Sequence, residues 1–383
     1  MNLAFALYKY FPYGGMQRDC LAIARACVAR GARVCVYTLR WQGEVPQGVE
    51  VREVPARGIA NHVRYARFHD ELVRQLSEAP ADAVVGFNKM PGLDVYYAAD
   101  GSFAQRLAER PRWYRWAPRA RHFLAAEHAV FGRGSATQIL LLSAAQQAAF
   151  ARHFLTEGDR LHLLPPGIAR DRMAGPDATV LRHSLRREFG LEERDSLILL
   201  VGSGFVTKGL DRALRAVAAL APDRRARVQF IAIGQDAPAR FIALARRLGI
   251  APQVRILAGR ADIPRFLQGA DLLLHPARAE NTGTILLEAI VAGLPVLTVA
   301  ACGYAHLVTA ADAGRVLPAP FAQPALNAAL ADMLAAPERT CWRKNGIAFG
   351  RTQALYDMPE RAAALILQVA ANRAAAGLTG STT

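Results

Sequence analysis

The second half of the chain alternates short apolar runs with helical patterns, and no other feature constrains the fold as strongly. The runs are SLILLVGS (196–203), RVQFIAIG (227–234), VRILAG (254–259), DLLLHPA (271–277) and PVLTV (295–299). Strands that are apolar throughout and separated by helices are typical of a parallel sheet whose two faces are both covered. The pattern therefore predicts an α/β domain in this half.

The first half shows the same alternation in a less regular form. NLAFAL (2–7), VCVYT (34–38) and DAVVGF (82–87) are predicted strands, and residues 15–30 are a predicted helix. The segment LLPPGIARDRMAGPDATV (163–180) is rich in proline and glycine, which favours an interdomain linker. We therefore predict two Rossmann-like domains, 1–167 and 168–355, that face a central cleft. A C-terminal helix over about 356–383 is expected to pack back on the first domain.

The charge of the chain points to an anionic partner. The formal net charge is +15 and the pI is about 10.2, which suits nucleic acid, an acidic membrane surface or a phosphorylated substrate. The ordinary alternative is a solvated, arginine-rich surface. No zinc-finger, RRM or KH-type string occurs, so nucleic acid is not predicted. No run approaches the roughly 18 apolar residues of a membrane span, so any membrane contact is expected to be peripheral.

Much of this charge lies in RLAERPRWYRWAPRARHFLAAEHAVFGR (106–133), which holds seven arginines and two glutamates. Trp113, Tyr114, Trp116 and Phe123 lie between the basic residues. Basic side chains beside interfacial aromatics favour an anionic bilayer surface. The alternative is an arginine-rich helical hairpin with its aromatic residues in the core.

Two further segments follow predicted strands of the second domain. In GSGFVTKGLDR (202–212), Lys208 precedes a helix whose N-terminus suits a diphosphate; the alternative is a tight turn with a surface lysine. In ENTGTILLE (280–288), Glu280 lies in a loop and Gly283 opens a helix. Glu288 has apolar neighbours and requires partners, either the hydroxyls of a ribose or an arginine of the same domain.

The segment LYKYFPYGGMQRD (7–19) joins the first predicted strand to the first helix. It holds the adjacent glycines Gly14 and Gly15 but lacks the G-x-G-x-x-G spacing of a dinucleotide fingerprint. With the E-x7-E pair and the K-G loop, it resembles the retaining glycosyltransferases of GT-B fold. VVGFNKMPGLDVYYAAD (84–100), LLPPGI (163–168), LLLHPA (272–277), LLEAIVAGLPVL (286–297) and CGYAH (302–306) are similar to the lipopolysaccharide core glucosyltransferase I family of Gram-negative bacteria.

This resemblance implies a function. The family moves a hexose, here expected to be glucose, from a UDP-sugar to an inner-core heptose of lipopolysaccharide during outer-core biosynthesis. The implied partners are the UDP-sugar, the lipid A–inner-core acceptor and an anionic membrane surface contacted through residues 106–133. The implied location is cytoplasmic, peripheral on the cytoplasmic face of the inner membrane. No metal or other cofactor is expected, so activity should survive EDTA.

The resemblance also implies roles for individual residues. Asp100, Lys208 and Glu280 are the expected catalytic residues, with Asp100 in the acceptor half. The expected donor-binding residues are Gly14, Gly15, Asp19, Arg172, Lys208, Arg260, Glu280, Asn281, Thr282, Gly283, Thr284, Ile285 and Glu288. Relatives commonly carry an arginine where this chain has Thr207, so Lys208, Arg172 and a helix N-terminus, or another arginine, must carry the charge.

Three alternatives remain open at this point. Asn281 and Thr282 follow Glu280 at positions that vary in the family, so UDP-GalNAc or another UDP-hexosamine could be the donor. A UDP-sugar epimerase would share the fold and the nucleotide contacts but need no acceptor. A catalytically silent nucleotide-sugar-binding module is the alternative outside enzymes, and Lys208, Glu280 and Glu288 argue against it.

Overall fold

A computed structural model describes residues 1–108 and 110–380 of the chain. It divides into two compact units: unit 1 is Met1–Gly167 together with the segment that begins at Asp357, and unit 2 is Ile168–Tyr356. Each unit is built on one parallel β-sheet with helical connections between its strands. The prediction of two Rossmann-like α/β domains is confirmed.

Unit 1 begins with an interior strand of its sheet. Its strands are β1 (Asn2–Ala6), β2 (Arg33–Thr38), β3 (Val49–Glu53), β4 (Ala83–Gly86), β5 (Val95–Ala98), β6 (Gln138–Leu141) and β7 (Leu161–Leu163). Its first helices are α1 (Gly15–Val28), α2 (Asn61–Glu78), α3 (Phe103–Ala108), α4 (Pro118–Phe131) and α5 (Ala144–Phe154). A 3₁₀ helix, Arg112–Trp116, precedes α4.

Unit 2 repeats this architecture. Its strands are β8 (Ser196–Val201), β9 (Val228–Ile233), β10 (Val254–Leu257), β11 (Leu272–His275), β12 (Val296–Val299) and β13 (Gly314–Leu317). Its helices are α6 (Ala178–Glu188), α7 (Leu210–Ala218), α8 (Pro222–Arg225), α9 (Ala239–Arg247), α10 (Ile263–Gly269), α11 (Thr284–Val291), α12 (Ala305–Ala310), α13 (Gln323–Ala335) and α14 (Arg339–Thr352). The last helix, α15 (Met358–Gly380), returns to unit 1.

The apolar strands are buried on both faces, as their composition requires. In β1, Leu3 and Phe5 belong to one core cluster while Ala4 and Ala6 belong to another. The residues of β8 divide between two clusters in the same way. Because successive side chains of a strand point to opposite faces, each central strand joins two hydrophobic layers. Among the residues that the structure describes, no helix has both the length and the apolar content needed to cross a bilayer.

The strand order of each sheet indicates where a ligand is expected to bind. It is β3-β2-β1-β4-β5-β6-β7 in unit 1 and β10-β9-β8-β11-β12-β13 in unit 2. The order reverses between β1 and β4 in unit 1 and between β8 and β11 in unit 2. Ligands of open parallel sheets bind at such switch points, beyond the carboxyl ends of the strands.

The structure refines three predicted boundaries. The strands are shorter than the apolar runs, because the last residues of several runs turn into the following loops. The boundary between the units, Gly167/Ile168, lies within the predicted interdomain linker 163–180, and the part after Gly167 packs on unit 2: the backbone N–H of Ile168 donates to Leu355 O at 2.9 Å and that of Ala174 donates to Val291 O at 3.1 Å. The predicted C-terminal helix begins at Met358, and residues 381–383 lie outside the described residues.

Candidate active site

The loops that carry Lys208 and Glu280 meet at the switch point of unit 2. Lys208 follows β8 and Glu280 follows β11, and these strands are neighbours in the sheet. Lys208 Nζ donates a hydrogen bond to Glu280 Oε2. His275, the last residue of β11, brings its Nε2 to 3.4 Å from the same oxygen. Lys208 and Glu280 are 19% and 14% exposed, whereas His275 is fully buried. We call these three residues the Lys208–Glu280–His275 cluster.

The cluster holds Glu280 in its charged form. Burial by itself would raise the pKa of Glu280, but the hydrogen bond from His275 and the charge of Lys208 outweigh burial and lower the pKa to about 2. Burial lowers the pKa of His275, so its imidazole is neutral at pH 7. A neutral imidazole that donates from Nε2 leaves Nδ1 without a proton, and His275 Nδ1 has no hydrogen-bond partner among the described residues.

Close backbone contacts hold the two loops together. Gly209, the N-cap of α7, has φ +74, and a Cβ atom there would lie 2.1 Å from Pro276 O. Arg278 N donates to Thr207 O at 2.7 Å, and Arg278 Nη1 donates to Val206 O at 2.9 Å. The Arg278 guanidinium also forms an ion pair with Asp211 at 2.7 Å. Arg278 therefore braces the Lys208 loop.

The residues after Glu280 form a fixed turn into α11. Gly283 is the N-cap of this helix at φ +81, a conformation that glycine adopts without strain. Gly303 N donates to Glu280 O at 3.1 Å, and Tyr304 N donates to Thr282 O at 2.7 Å. The Oγ1 atoms of Thr282 and Thr284 lie 3.4 Å apart. Asn281 lies in the turn, and the N-terminal N–H groups of α11, where Thr284 and Ile285 lie, open beside Glu280.

Glu288 and Arg172 form a second, buried pair in unit 2. Glu288 is 3% exposed on α11, and Arg172 Nε lies 3.7 Å from Glu288 Oε1. The alternative of an arginine partner in the same domain is thus present in the structure. Arg172 Nε and Nη1 nevertheless make no hydrogen bond within the described part of the chain. These two buried nitrogens can donate to an incoming acceptor atom, because buried donors of this kind normally have partners.

Arg260 forms an ion pair with Asp262, away from the Lys208–Glu280–His275 cluster. Its Nε donates to Asp262 Oδ1 at 2.7 Å, and its guanidinium lies 5.0 Å from the centre of the Phe266 ring. It follows β10, the edge strand of the sheet, and not one of the two strands at the switch point. The structure therefore does not bring Arg260 together with Lys208 and Glu280, and its donor-binding role stays a prediction.

The predicted site residues of unit 1 have different surroundings. At Gly14 a Cβ atom would lie 1.8 Å from Gln17 Oε1, whereas at Gly15, the first residue of α1, nothing lies within 4 Å. Asp19 Oδ2 accepts a hydrogen bond from Tyr97 Oη at 2.8 Å, so this carboxylate is anchored to β5. The donor contacts predicted for Gly14, Gly15 and Asp19 stay predictions.

Asp100 lines a pocket of about 500 Å³ within unit 1, which we call the unit 1 pocket. Lys89 and Glu127 also line it, and Lys89 Nζ lies 2.6 Å from Glu127 Oε1. Glu127 is fully buried and accepts hydrogen bonds from Phe103 N at 2.6 Å and Ala104 N at 2.8 Å. The pocket and its buried ion pair thus surround the predicted acceptor residue.

Sequence reasoning assigned no role to His275, Lys89 or Glu127. A signal existed for His275, since it is the one polar side chain at the end of the apolar run LLLH. Lys89 lies in the string VVGFNKMPGLDVYYAAD, directly after a predicted strand. Within residues 1–108 and 110–380, no group of three or more His, Cys, Asp or Glu side chains could hold a metal ion.

Comparison with known proteins places the chain in a class. The model of the family Glycosyl transferases group 1 matches residues 182–349, and that of Glycosyltransferase Family 4 matches residues 13–172. The D-inositol 3-phosphate glycosyltransferase of Salinispora arenicola is 33% identical over 164 residues, which are 39% of this chain and 36% of that protein. HepE of Anabaena, solved in complex with UDP-glucose, has a TM-score of 0.75 at 18% identity over 96% of this chain and 99% of its own, which shows the fold alone.

The fold and the matched families define a glycosyltransferase of GT-B architecture, and the predicted class of enzyme is confirmed. Lipopolysaccharide glucosyltransferase WaaG of Escherichia coli K12 is 45% identical over 368 residues, which are 96% of this chain and 98% of WaaG. The crystal structure of WaaG, a glycosyltransferase involved in lipopolysaccharide biosynthesis, has a TM-score of 0.92 and covers 95% of this chain and 99% of its own. The chain belongs to the WaaG family of glycosyltransferases.

Proposed function

We propose that this enzyme transfers a glucosyl residue from UDP-glucose to an inner-core heptose of lipopolysaccharide, with retention of the anomeric configuration. The Lys208–Glu280–His275 cluster at the switch point of unit 2 is the observation that carries this proposal. The 45% identity to a lipopolysaccharide glucosyltransferase over 96% of the chain supports the same donor and acceptor class.

The chemistry follows from the charges of the cluster. Departure of UDP leaves negative charge on the β-phosphate, and a cation fixed at that position lowers the energy of the transition state. Lys208 is such a cation, and the N-terminus of α7 beside it has the same polarity. When the donor binds, its phosphate replaces Glu280 as the ion-pair partner of Lys208. The Glu280 carboxylate, charged at pH 7, then accepts hydrogen bonds from sugar hydroxyls.

Arg172 and Glu288 supply the remaining donor contacts in this proposal. The buried Arg172 Nε and Nη1 can donate to diphosphate or ribose oxygens. Glu288 can accept from the vicinal hydroxyls of the ribose, as acidic residues do in dinucleotide folds. A front-face attack assisted by the leaving phosphate requires no protein nucleophile. Asp100 would serve as a base or position the acceptor, and the reaction would require no metal.

One experiment tests the whole proposal. The protein is incubated with heptose-terminated inner-core lipopolysaccharide and a panel of UDP-sugars, with and without EDTA, and the mass added to the acceptor is measured. Addition of a hexose from UDP-glucose in both conditions is expected. Addition of an N-acetylhexosamine would replace the proposed donor, and loss of transfer in EDTA would contradict metal independence. Turnover of UDP-sugars without addition to any acceptor would favour an epimerase.

We also propose that the enzyme works at the cytoplasmic face of the inner membrane, bound peripherally through residues 106–133. Trp113 and Trp116 lie on the 3₁₀ helix before α4 and are 71% and 80% exposed. The arginine-rich segment therefore does not bury these aromatics in a core. Exposed tryptophan between arginines suits the headgroup region of an anionic bilayer.

Replacing both tryptophans should weaken membrane binding. We expect the Trp113→Ala/Trp116→Ala variant to lose roughly tenfold or more in affinity for vesicles that contain anionic lipid, because two interfacial anchors are removed. Flotation with anionic and neutral vesicles measures the effect. Ile59→Ala, which removes a fully exposed apolar side chain outside residues 106–133, is the control. Equal binding of the wild-type protein to both vesicle types would overturn this placement.

A further inference from the structure

The unit 1 pocket occupies the position where a parallel sheet binds ligands. Tyr8 follows β1, Asn88 and Lys89 follow β4, and Asp100 follows β5. β1 and β4 flank the switch point of this sheet, where the connections on either side run in opposite directions. The pocket therefore lies at the switch point. Its volume of about 500 Å³ is in the range of sites for small molecules or a few sugar units.

Aromatic side chains form flat apolar walls in this pocket. The rings of Tyr8 and Tyr65 are stacked with centroids 3.8 Å apart. Phe103 and Phe123 contact each other at 5.3 Å between centroids. Both pairs line the pocket, beside the carboxylate of Asp100. Flat apolar walls with a few polar groups are typical of a site that binds rings carrying hydroxyl groups.

The charge of the pocket is strongly one-sided. Arg106, Arg110 and Arg119 line it, and none of the three forms an ion pair with a described acidic residue. Lys89 and Glu127 neutralise each other, since their charged atoms lie 2.6 Å apart. Among the described lining residues, three guanidinium groups therefore face one unpaired carboxylate, that of Asp100. Guanidinium groups arranged around a site favour phosphate or carboxylate ligands, which they bind in bidentate geometry.

The buried ion pair fixes the two helices that carry Arg106 and Arg119. Glu127 lies on α4 and accepts hydrogen bonds from the first N–H groups of α3. Lys89 Nζ also donates to Gly101 O at 2.8 Å. Arg106 lies on α3 and Arg119 on α4, so the positions of both depend on this network. A binding site gains affinity when its groups are held in place before the ligand arrives.

The pocket arginines are separate from the exposed tryptophans of the same segment. Arg106, Arg110, Tyr114, Arg119 and Phe123 line the pocket, whereas Trp113 and Trp116 do not. Resting on the proposed function, we propose that the unit 1 pocket binds an anionic group, a phosphate ester or a carboxylate, of the acceptor saccharide through Arg106, Arg110 and Arg119. In this proposal the pocket arginines recognise an acidic acceptor, and the exposed tryptophans bind the membrane.

Steady-state kinetics with a deacylated inner-core oligosaccharide tests this inference without a membrane. We expect Arg106→Ala/Arg119→Ala to raise the KM for this acceptor roughly tenfold or more, with the KM for UDP-glucose unchanged, because two charge-assisted contacts are lost. Arg152→Ala, the same charge loss on α5 outside the pocket, should leave the acceptor KM unchanged. Arg119→Lys keeps the charge and should recover part of the affinity. Vesicle binding by the double alanine variant is measured as well. Wild-type vesicle binding is expected, because in this proposal the pocket binds the acceptor and the tryptophans bind the membrane.

Two chemical treatments of the acceptor identify the anion. One sample is dephosphorylated, and in another the carboxyl groups are reduced to alcohols. If one treatment raises the wild-type KM and abolishes the difference between wild type and variant, that anion is the ligand; if both do so in part, both groups bind. The inference is wrong if neither treatment changes the wild-type KM, or if the double variant matches Arg152→Ala. The treated acceptors test the wild-type enzyme directly, so a variant that fails to fold does not prevent a result.

Failure of this inference can be told apart from failure of the proposed function. If the wild-type enzyme adds glucose to the untreated oligosaccharide, the proposed function stands and the kinetic comparison decides the role of the pocket. If no UDP-sugar supports transfer, binding of the untreated and treated oligosaccharides is measured by calorimetry instead. Equal binding of all three forms would still overturn the inference.

Discussion

Lys208→Ala should lower kcat by roughly two to three orders of magnitude, which is the usual effect of removing one charge-stabilising group from an active site. Lys208 lies at the switch point of unit 2, at the N-terminus of α7. Without it, the charge that develops on the leaving diphosphate would depend on Arg172 and on helix N-termini, since Thr207 offers no charge. UDP release from UDP-glucose in the presence of acceptor measures kcat.

The control for this experiment is Lys344→Ala, which removes an exposed lysine on α14 of the same unit. It should keep wild-type kinetics. A Lys208→Ala enzyme with kcat within about threefold of wild type would remove Lys208 from the catalytic residues. The same variant leaves the Glu280 carboxylate without its lysine. The free energy of unfolding of Lys208→Ala should therefore be compared with that of Lys208→Ala/Glu280→Gln, which restores electrical neutrality.

The stability of Lys208→Ala should depend on pH in a defined direction. In the wild-type protein the pKa of Glu280 is held at about 2, below the ordinary 4.5. This lowered pKa stabilises the folded state above about pH 4.5, and the contribution disappears as pH falls towards 2. Without Lys208 the effect of burial gains weight and the pKa of Glu280 rises. The stability difference between wild type and variant should therefore be full at pH 7 and shrink below pH 4.5, as measured by urea unfolding.

Gly209→Ala should be among the most destabilising single substitutions in unit 2. The new Cβ atom would lie 2.1 Å from Pro276 O, and the backbone at φ +74 disfavours any side chain. Neither loop can yield easily, because Arg278 ties Thr207 and Val206 to the same region. We expect the free energy of unfolding to fall by roughly 3 kcal/mol or more, as for other strained or overpacked positions.

Gly249→Ala is a matched control for this substitution. Gly249 has φ +68, and a Cβ atom added there would meet nothing within 4 Å, so the variant carries the backbone cost without the clash. We expect Gly249→Ala to cost only about 1 kcal/mol. Urea unfolding of both variants isolates the effect of the contact with Pro276. Equal losses in the two variants would show that the loops move apart at little cost, and that the Lys208 loop is not held by β11.

The features that the sequence predicted correctly depend on local pattern. Apolar runs separated by helices are sufficient to predict two parallel sheets, because such strands are stable only when both faces are covered. The meeting of Lys208 and Glu280 was predictable for a related reason. Each follows a strand of the same predicted sheet, and the carboxyl ends of parallel strands lie at one edge.

The remaining features depend on contacts that no local pattern encodes. The contact between Arg172 and Glu288 joins residues far apart in the chain, and its existence depends on how the 3₁₀ turn Arg170–Arg172 packs against α11. The same packing explains why the second part of the linker segment 163–180 belongs to unit 2. The ion pair between Arg260 and Asp262, by contrast, is local. The two residues are only two positions apart, so this contact could have been predicted from the sequence.

The path of α15 has a consequence for biosynthesis. Met358, Ala362, Ala363, Ile366 and Ala370 of this helix are buried in the same core as β1 and α1, the first elements of the chain. Domains of most proteins complete their folding in the order in which the ribosome delivers them. Here unit 2 is fully synthesised while unit 1 still lacks one wall of its core. The unit that leaves the ribosome first is thus the last to be completed, and a message truncated before α15 would yield a finished unit 2 attached to an unfinished unit 1.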